Sequence, residues 1–269
     1  MEPTIETQLV RFSNKHLPPF LTRFLKFPFF LKILSNMLCF ERIVKLRDTY
    51  RDTTNMDLIN ALIEEIGLSV IYKNVEKIPP AGRLLVVANH PLAGADWMLI
   101  LQCLNKVRQD IKVVINKDVH TLIENLRDLF IPVDTYAKFD EGARDMIGKS
   151  LEKEEAVLLF PSGGISIMTL RGIRDRKWKK GVIHFSRDHQ ADILPVYIGG
   201  RFSWIYYLYP IRLRRLLMVR QSLSPRKQTI QVIIGNPISH MELWGSTNFS
   251  ELSSQLRERV YRLRLIIKN

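Results

Sequence analysis

Residues 83–107 read RLLVVANHPLAGADWMLILQCLNKV. The run Leu84 to Ala88 is apolar throughout, without the polar alternation of a half-exposed strand, and so suits a strand covered on both faces, as parallel strands are. It stops at Asn89-His90-Pro91. Pro91 biases His90 towards an extended backbone, Gly94 permits a tight reversal, and Asp96 opens a helix over DWMLILQCLNKV. A buried strand, a short turn and a helix in succession begin a βαβ unit.

The alternation continues outward in both directions. SVIYKNV (69–75) is the first convincing strand, and KVVIN (112–116), FIPVD (130–134), AVLLF (156–160), ILPVYIG (193–199) and IQVIIG (230–235) read as further buried strands. Helical periodicity fills several gaps between them, in VHTLIENLRDL (119–129), EGARDMIGKSLEK (141–153) and WKKGVIHFSRDHQ (178–190). A last helix over 250–269 starts with Ser250 as its N-cap candidate and carries Leu252, Leu256, Val260 and Leu263 as an apolar stripe. The expected fold is therefore α/β, a mixed central sheet flanked by helices. Pro79 and Pro80 mark a break in character: residues 1–75 read as a helical N-terminal membrane-associating region, with LINALIEEIGL (58–68) spaced for one apolar face, and residues 76–269 as the α/β domain.

With 269 residues, 46% of them hydrophobic, the chain has material for a substantial core, and disorder is not the default. Lys and Arg outnumber Asp and Glu by 40 to 27, a surplus of +13 that favours anionic partners: nucleic acid, an acidic leaflet or an acidic carrier protein. Cys39 and Cys103 lack metal-ligand spacing, and no metal site is expected; reduced thiols in a cytoplasmic protein fit better than a disulfide. MEPTIETQLV lacks the basic and apolar regions of a secretory signal.

Residues 20–40, FLTRFLKFPFFLKILSNMLCF, are interrupted by Arg23, Lys26 and Lys32, and Pro28 is expected to bend a helix there, so no membrane span is read. Phe20, Phe24, Phe27 and Phe30 recur at helical spacing between basic residues, a composition suited to the headgroup layer as well as to an ordinary core helix. Arg212, Arg214, Arg215, Arg220, Arg226 and Lys227 form the densest basic stretch.

The chemistry starts from His90 and Asp96. A carboxylate on one imidazole nitrogen fixes the tautomer and leaves the other nitrogen to take a proton from a hydroxyl, so no Ser or Cys nucleophile is needed. A helix-capping aspartate beside a loop histidine is the plainer account of the same residues. AVLLFPSGGIS (156–166) adds a strand running into Ser162, Gly163 and Gly164, whose backbone amides suit an oxyanion or a phosphate. Trp178-Lys179-Lys180-Gly181 then starts a helix, where lysines in the first turn oppose the helix dipole and so suggest anion binding. His120, His184 and His189 lie in helix candidates without a partnered carboxylate motif, His240 falls in a loop before Met241-Glu242, and all four are read as structural.

Taken in order, Asn89-His90 with Asp96, Phe160-Pro161-Ser162-Gly163, Trp178-Lys179-Lys180-Gly181 and Leu194-Pro195-Val196 resemble the signature of the glycerolipid acyltransferase superfamily over roughly residues 75–236. The Asn-His-Pro variant, with five residues before the aspartate, and IPVD at 131–134 look most similar to the branch described as putative hemolysin or lyso-ornithine-lipid acyltransferase. The resemblance implies a fatty acyl transfer onto a lysolipid hydroxyl, a lyso-aminolipid or lysophosphatidate. The donor is an acyl carrier protein or coenzyme A thioester, used as co-substrate with no other cofactor.

In that scheme His90 is the general base and Asp96 its orienter, while Asn89, Ser162, Gly163, Gly164, Arg171, Lys179 and Lys180 bind substrate. The glutamate usual in the turn motif is absent, with Ser162 and Gly164 in its place, and Arg171 or Arg174 stands in for the arginine that commonly closes it. The implied location is the cytoplasmic face of the inner (plasma) membrane, peripheral or monotopic, on an anionic surface. The competing readings are a non-catalytic basic membrane-lipid-binding protein and a nucleic-acid-binding protein. No helix-turn-helix, zinc-finger or RNA-binding aromatic motif supports the latter, and no nucleic acid partner is expected.

Overall fold

In the computed structural model, which describes residues 22–23, 27–120, 123–134, 141–224, 228–243 and 248–267, Pro28 begins a helix instead of bending one. It occupies the first turn of α1 (Pro28–Leu38), where its missing N–H leaves no bond unmade. Cys39 then adopts a left-handed conformation and hands over to α2 (Phe40–Thr49). Phe27, Phe29, Phe30 and Ile33 are exposed. Phe20, Phe24 and Lys26, like Arg226 and Lys227 of the basic stretch, lie outside the described residues. Among the described residues no helix is long and apolar enough to cross a membrane.

The chain divides into two units, Met1–Thr53 with Phe202–Pro225, and Thr54–Arg201 with Arg226–Asn269. The second holds the sheet. It starts with α3 (Asn55–Ile66), which buries Leu58, Ile59, Ile63 and Ile66 and closes on Gly67 at a φ of 67°. Strand β1 (Leu68–Lys73) follows at once and pairs in parallel with Gln228–Ile233. The boundary drawn near residue 75 on the sequence thus falls inside this unit.

The sheet continues with β2 (Leu84–Ala88), helix α4 (Gly94–Leu104), β3 (Ile111–Asn116) and β4 (Phe130–Val133). After α5 (Glu141–Glu152) come β5 (Ala156–Leu159), a small hairpin of β6 (Ile167–Thr169) and β7 (Gly172–Arg174), and α6 (Gly181–Asp188). Strand β8 (Asp192–Gly199) leads to α7 (Trp204–Leu208) and α8 (Ile211–Leu223) of the other unit, and β9 (Gln228–Ile234) and α9 (Phe249–Arg262) complete the sheet unit.

Seven strands lie in the order β1-β9-β8-β2-β5-β3-β4, parallel at every junction except β8 with β9. The mixed α/β sheet expected from the sequence is present. Strand β2 is fully buried, as its unbroken apolar run required. Leu85 and Val87 of β2 and Val157 of β5 share one cluster with Ile147 and Leu151 of α5, Val182 and Ile183 of α6, and Leu256 and Val260 of α9. Each such side chain contributes about 1.5–3 kcal/mol by leaving water.

Pro195 sits inside β8 without breaking it. Its carbonyl accepts the N–H of Gly235, where β9 has just ended, and the next link is the bridge between Ile193 and Ile238. The proline nitrogen therefore faces a gap in the ladder, where no bond is forfeited.

Local boundaries differ from the sequence reading where short-range chemistry prevailed. The segment 119–129 is not one helix: a single turn ends at His120 and a 3-10 segment spans Glu124–Leu129. The N-cap of α9 is Asn248, whose side chain accepts from the N–H of Glu251, and not Ser250. Trp178, Lys179 and Lys180 precede α6, which starts at Gly181, so the lysines flank the helix instead of forming its first turn.

Candidate active site

The carboxyl ends of β2 and β5 lie side by side, Val87 opposite Leu159. From β5 the chain crosses β2 to β8, so strand order reverses here, and open α/β sheets bind ligands at such ends. His90 leaves the end of β2 and Ser162 leaves the end of β5.

Asn89 fixes the first exit. Its side-chain N–H donates to the carbonyl of Ile198 at 2.9 Å, and its oxygen accepts the Ile198 N–H at 2.8 Å, which bolts β2 to β8. The residue is buried, and its amide is occupied by backbone, not presented to a ligand.

The turn from His90 to Asp96 closes in spite of its five intervening residues. Nδ1 of His90 lies 2.9 Å from Oδ2 of Asp96, and the same oxygen accepts the N–H of Leu92 at 2.8 Å. The left-handed residue in this turn is Ala93, at φ 52° and ψ −117°, whereas Gly94 begins α4. That conformation is one alanine normally avoids, at about 1–3 kcal/mol. Asp96 is wholly buried in the first turn of α4 and reaches back to the Leu92 N–H, as a capping carboxylate does. Burial pushes its carboxyl above the ordinary range, against the opposing pull of the His90 hydrogen bond. The imidazole is stacked on Phe160, with ring centroids 4.1 Å apart. With Nδ1 engaged by the carboxylate, Nε2 is the nitrogen left for chemistry.

The turn after β5 is tighter than a cradle of bare amides. The N–H of Gly163 donates to Phe160, the hydroxyl of Ser162 donates to the carbonyl of Gly164 at 2.6 Å, and the Gly164 N–H reaches the Ser162 hydroxyl only at 3.5 Å. Gly163 has a φ of 64°, and a β-carbon there would stand 2.8 Å from Nζ of Lys179. The Lys179 ammonium thus lies over the turn, while the backbone N–H of Lys179 donates to the Pro161 carbonyl at 2.9 Å. Lys180 is exposed at the start of α6. Arg171 is exposed at the tip of the β6–β7 hairpin. Arg174 is committed elsewhere: it pairs with Glu258 at 2.7 Å and lies over the ring of Tyr261.

Sequence reasoning missed Asp175. This buried aspartate accepts the backbone N–H of His90 at 3.2 Å, the Ser166 hydroxyl at 2.5 Å and the indole N–H of Trp178 at 2.9 Å. Ser166 in turn donates its N–H to the His90 carbonyl at 2.8 Å. From α9, the Tyr261 hydroxyl accepts the Asp175 N–H at 2.7 Å and Arg257 donates to the Asp175 carbonyl at 2.5 Å. His240, read as a lone loop histidine, is partnered by Asp192 at 2.8 Å.

The partly exposed His90 and the buried Asp96 thus stand together at the ends of parallel strands, beside a glycine turn that Lys179 covers. The Acyltransferase family model matches residues 13–265, and the chain belongs to that family and is an acyltransferase enzyme. The superfamily resemblance carried by the motifs therefore stands.

The chain is 25% identical over 259 residues to the lyso-glycine lipid O-acyltransferase of Bacteroides thetaiotaomicron, covering 93% of this chain and 92% of that one. It is 24% identical over 233 residues to the lyso-glycine lipid O-acyltransferase of Phocaeicola vulgatus, covering 83% of each. Its fold is similar to the crystal structure of the 1-acyl-sn-glycerophosphate (LPA) acyltransferase PlsC from Thermotoga maritima. The TM-score is 0.54 at 20% identity, over 98% of this chain and 95% of that one.

Proposed function

We propose that this chain transfers a fatty acyl group from an acyl carrier protein or coenzyme A thioester to the hydroxyl of a lyso-aminolipid, at the cytoplasmic face of a membrane. The observation that carries the reading is the His90–Asp96 pair, with Nδ1 of the imidazole held by a buried carboxylate at 2.9 Å. The aminolipid acceptor is supported by two relatives named lyso-glycine lipid O-acyltransferases that align over most of the chain.

Nε2 of His90 takes the proton of the acceptor hydroxyl as its oxygen attacks the thioester carbonyl. Asp96 balances the imidazolium that forms. The tetrahedral intermediate collapses, the carbon–sulfur bond breaks, and the imidazolium returns the proton to the departing thiolate. General-base help of this kind is worth about a hundred- to ten-thousand-fold in rate. Lys179 over the Gly163 turn supplies positive charge for the oxyanion or for a phosphate of the donor, with Lys180 and Arg171 as outer anion contacts.

Membrane association is supported by the apolar side chains exposed in the Met1–Thr53 and Phe202–Pro225 unit. Phe29 is 70% exposed, and Trp204, Ile205 and Leu208 are 51%, 61% and 76% exposed. Aromatic and aliphatic side chains on a chain of surplus positive charge suit an anionic headgroup layer.

The test uses purified protein with acyl carrier protein and coenzyme A thioesters, each offered lyso-glycine lipid, lyso-ornithine lipid and lysophosphatidate, with the diacyl product read by mass spectrometry. Product from an aminolipid acceptor is expected. Turnover of lysophosphatidate alone would move the acceptor to phospholipids, and no product with any pair would end the proposal.

A further inference from the structure

The carboxylate of Asp175 lies deep in the site and yet has no place in the proton transfer just described. Its three donors differ in origin: the His90 backbone at the end of β2, Ser166 at the foot of the β6–β7 hairpin, and the indole of Trp178 ahead of α6. Among the described residues its hydrogen-bond donors are all neutral, and Arg257 reaches only its backbone carbonyl. A carboxylate buried for structural reasons alone is usually matched by a cation, because an uncompensated charge is costly to bury. This one is stabilised by dipoles, so its field remains available to its surroundings.

That field reaches the site: burial is the main cause that raises the carboxyl of Asp96, and the charge of Asp175 adds to it in the same direction. We infer that Asp175 is a positioning residue for acyl transfer: it holds His90 by the backbone while Asp96 holds it by the ring, and it adds negative field where the imidazolium forms. The inference rests on His90 being the base. The charged groups around it are Asp96 on α4, Lys179 across the Gly163 turn, and Arg257 and the Arg174–Glu258 pair beside α9. Asp175 and Asp96 are the two buried carboxylates among them. Three of the segments that build the site meet at Asp175, so its shape fixes their relative placement and its charge favours the protonated ring.

The test is Asp175→Asn, which keeps the shape and removes the charge, measured beside wild type and His90→Ala. The expected result is a cooperatively folding protein with kcat lowered by about 10- to 100-fold and KM for both substrates within about threefold of wild type. The acid limb of its pH–rate profile moves to lower pH, because an imidazolium with less negative field around it loses its proton more readily. A kcat within about twofold of wild type with an unmoved acid limb overturns the inference. So does a fall in kcat with an unmoved limb that only follows lost stability.

A second readout needs no turnover: in 15N-labelled Asp175→Asn the His90 amide proton moves upfield as its charged acceptor becomes neutral, and an unchanged resonance counts against the inference. This arm separates failure here from failure of the acyl-transfer reading, which would show as an inactive wild type. If Asp175→Asn does not fold, Trp178→Phe decides, since it takes one donor from the carboxylate. A lowered kcat with unchanged KM supports the inference, and wild-type kcat overturns it.

Discussion

Oδ2 of Asp96 is shared between Nδ1 of His90 at 2.9 Å and the N–H of Leu92 at 2.8 Å, so one carboxylate oxygen aims the imidazole and shapes the turn that carries it. Base and backbone are set by the same atom.

His90→Ala is expected to fold, since the ring is partly exposed and chiefly stacks on Phe160. It loses the base, and kcat falls by about a hundred- to ten-thousand-fold. Thiol release from the thioester donor, together with a thermal melt, measures both halves. Wild-type turnover in the folded variant would remove His90 from the mechanism.

Asp96→Asn should lower kcat by up to the same factor, and it also carries a pH signature. A carboxyl raised by burial binds its proton more tightly in the folded state than in the unfolded one. Its contribution to stability is fully present below the ordinary value of about 3.9. That contribution is lost as pH rises through the raised value. The variant has no such group, so its melting temperature relative to wild type climbs as pH goes from about 4 towards neutral. A difference that stays flat across a pH series of melts would show that the His90 bond cancels the cost of burial.

Asn89→Ala opens both bonds to the Ile198 backbone and leaves two buried groups unsatisfied, at about 2–4 kcal/mol in all. Denaturant titration reads this loss. Activity should decline with stability, because the bolt between β2 and β8 holds the base of the His90 turn.

Gly163→Ala meets two penalties, a φ of 64° and the Lys179 ammonium 2.8 Å from the new carbon, and neither applies to Gly164, which has nothing within 4 Å. Gly163→Ala is expected to cost about 1–2 kcal/mol more stability than Gly164→Ala. It should also raise KM for the thioester several-fold by displacing Lys179. Paired melts and initial rates check both.

Trp204→Ser with Leu208→Ser removes two exposed apolar side chains of α7. Co-sedimentation with anionic vesicles should drop by about tenfold or more if these side chains enter the headgroup layer. Unchanged binding would place the contact elsewhere.

The strands were legible because parallel strands covered on both faces leave unbroken apolar runs, and Leu84–Ala88 is the clearest. His90 and Asp96 were legible because their contact spans a single turn. Asp175 was not, since its partners His90 and Tyr261 lie 85 and 86 residues away, and nothing local in RDRKWKK reveals that distance is closed. The Ser162–Gly164 amides looked open in sequence, but the turn consumes or restrains them through Phe160 and the Ser162 hydroxyl. Ala93 in place of Gly94 as the left-handed residue reflects tertiary constraint prevailing over local preference.

The attachment of α9 to Asp175 has a consequence in time. During synthesis the His90 turn, the Ser162 turn and Lys179 all emerge well before Arg257 and Tyr261, and β1 waits for β9 to cover its open edge. A nascent chain carries every group of the proton transfer while its clamp is still unmade. The clamp on Asp175 is therefore completed only once α9 has left the ribosome, later than the groups it holds in place.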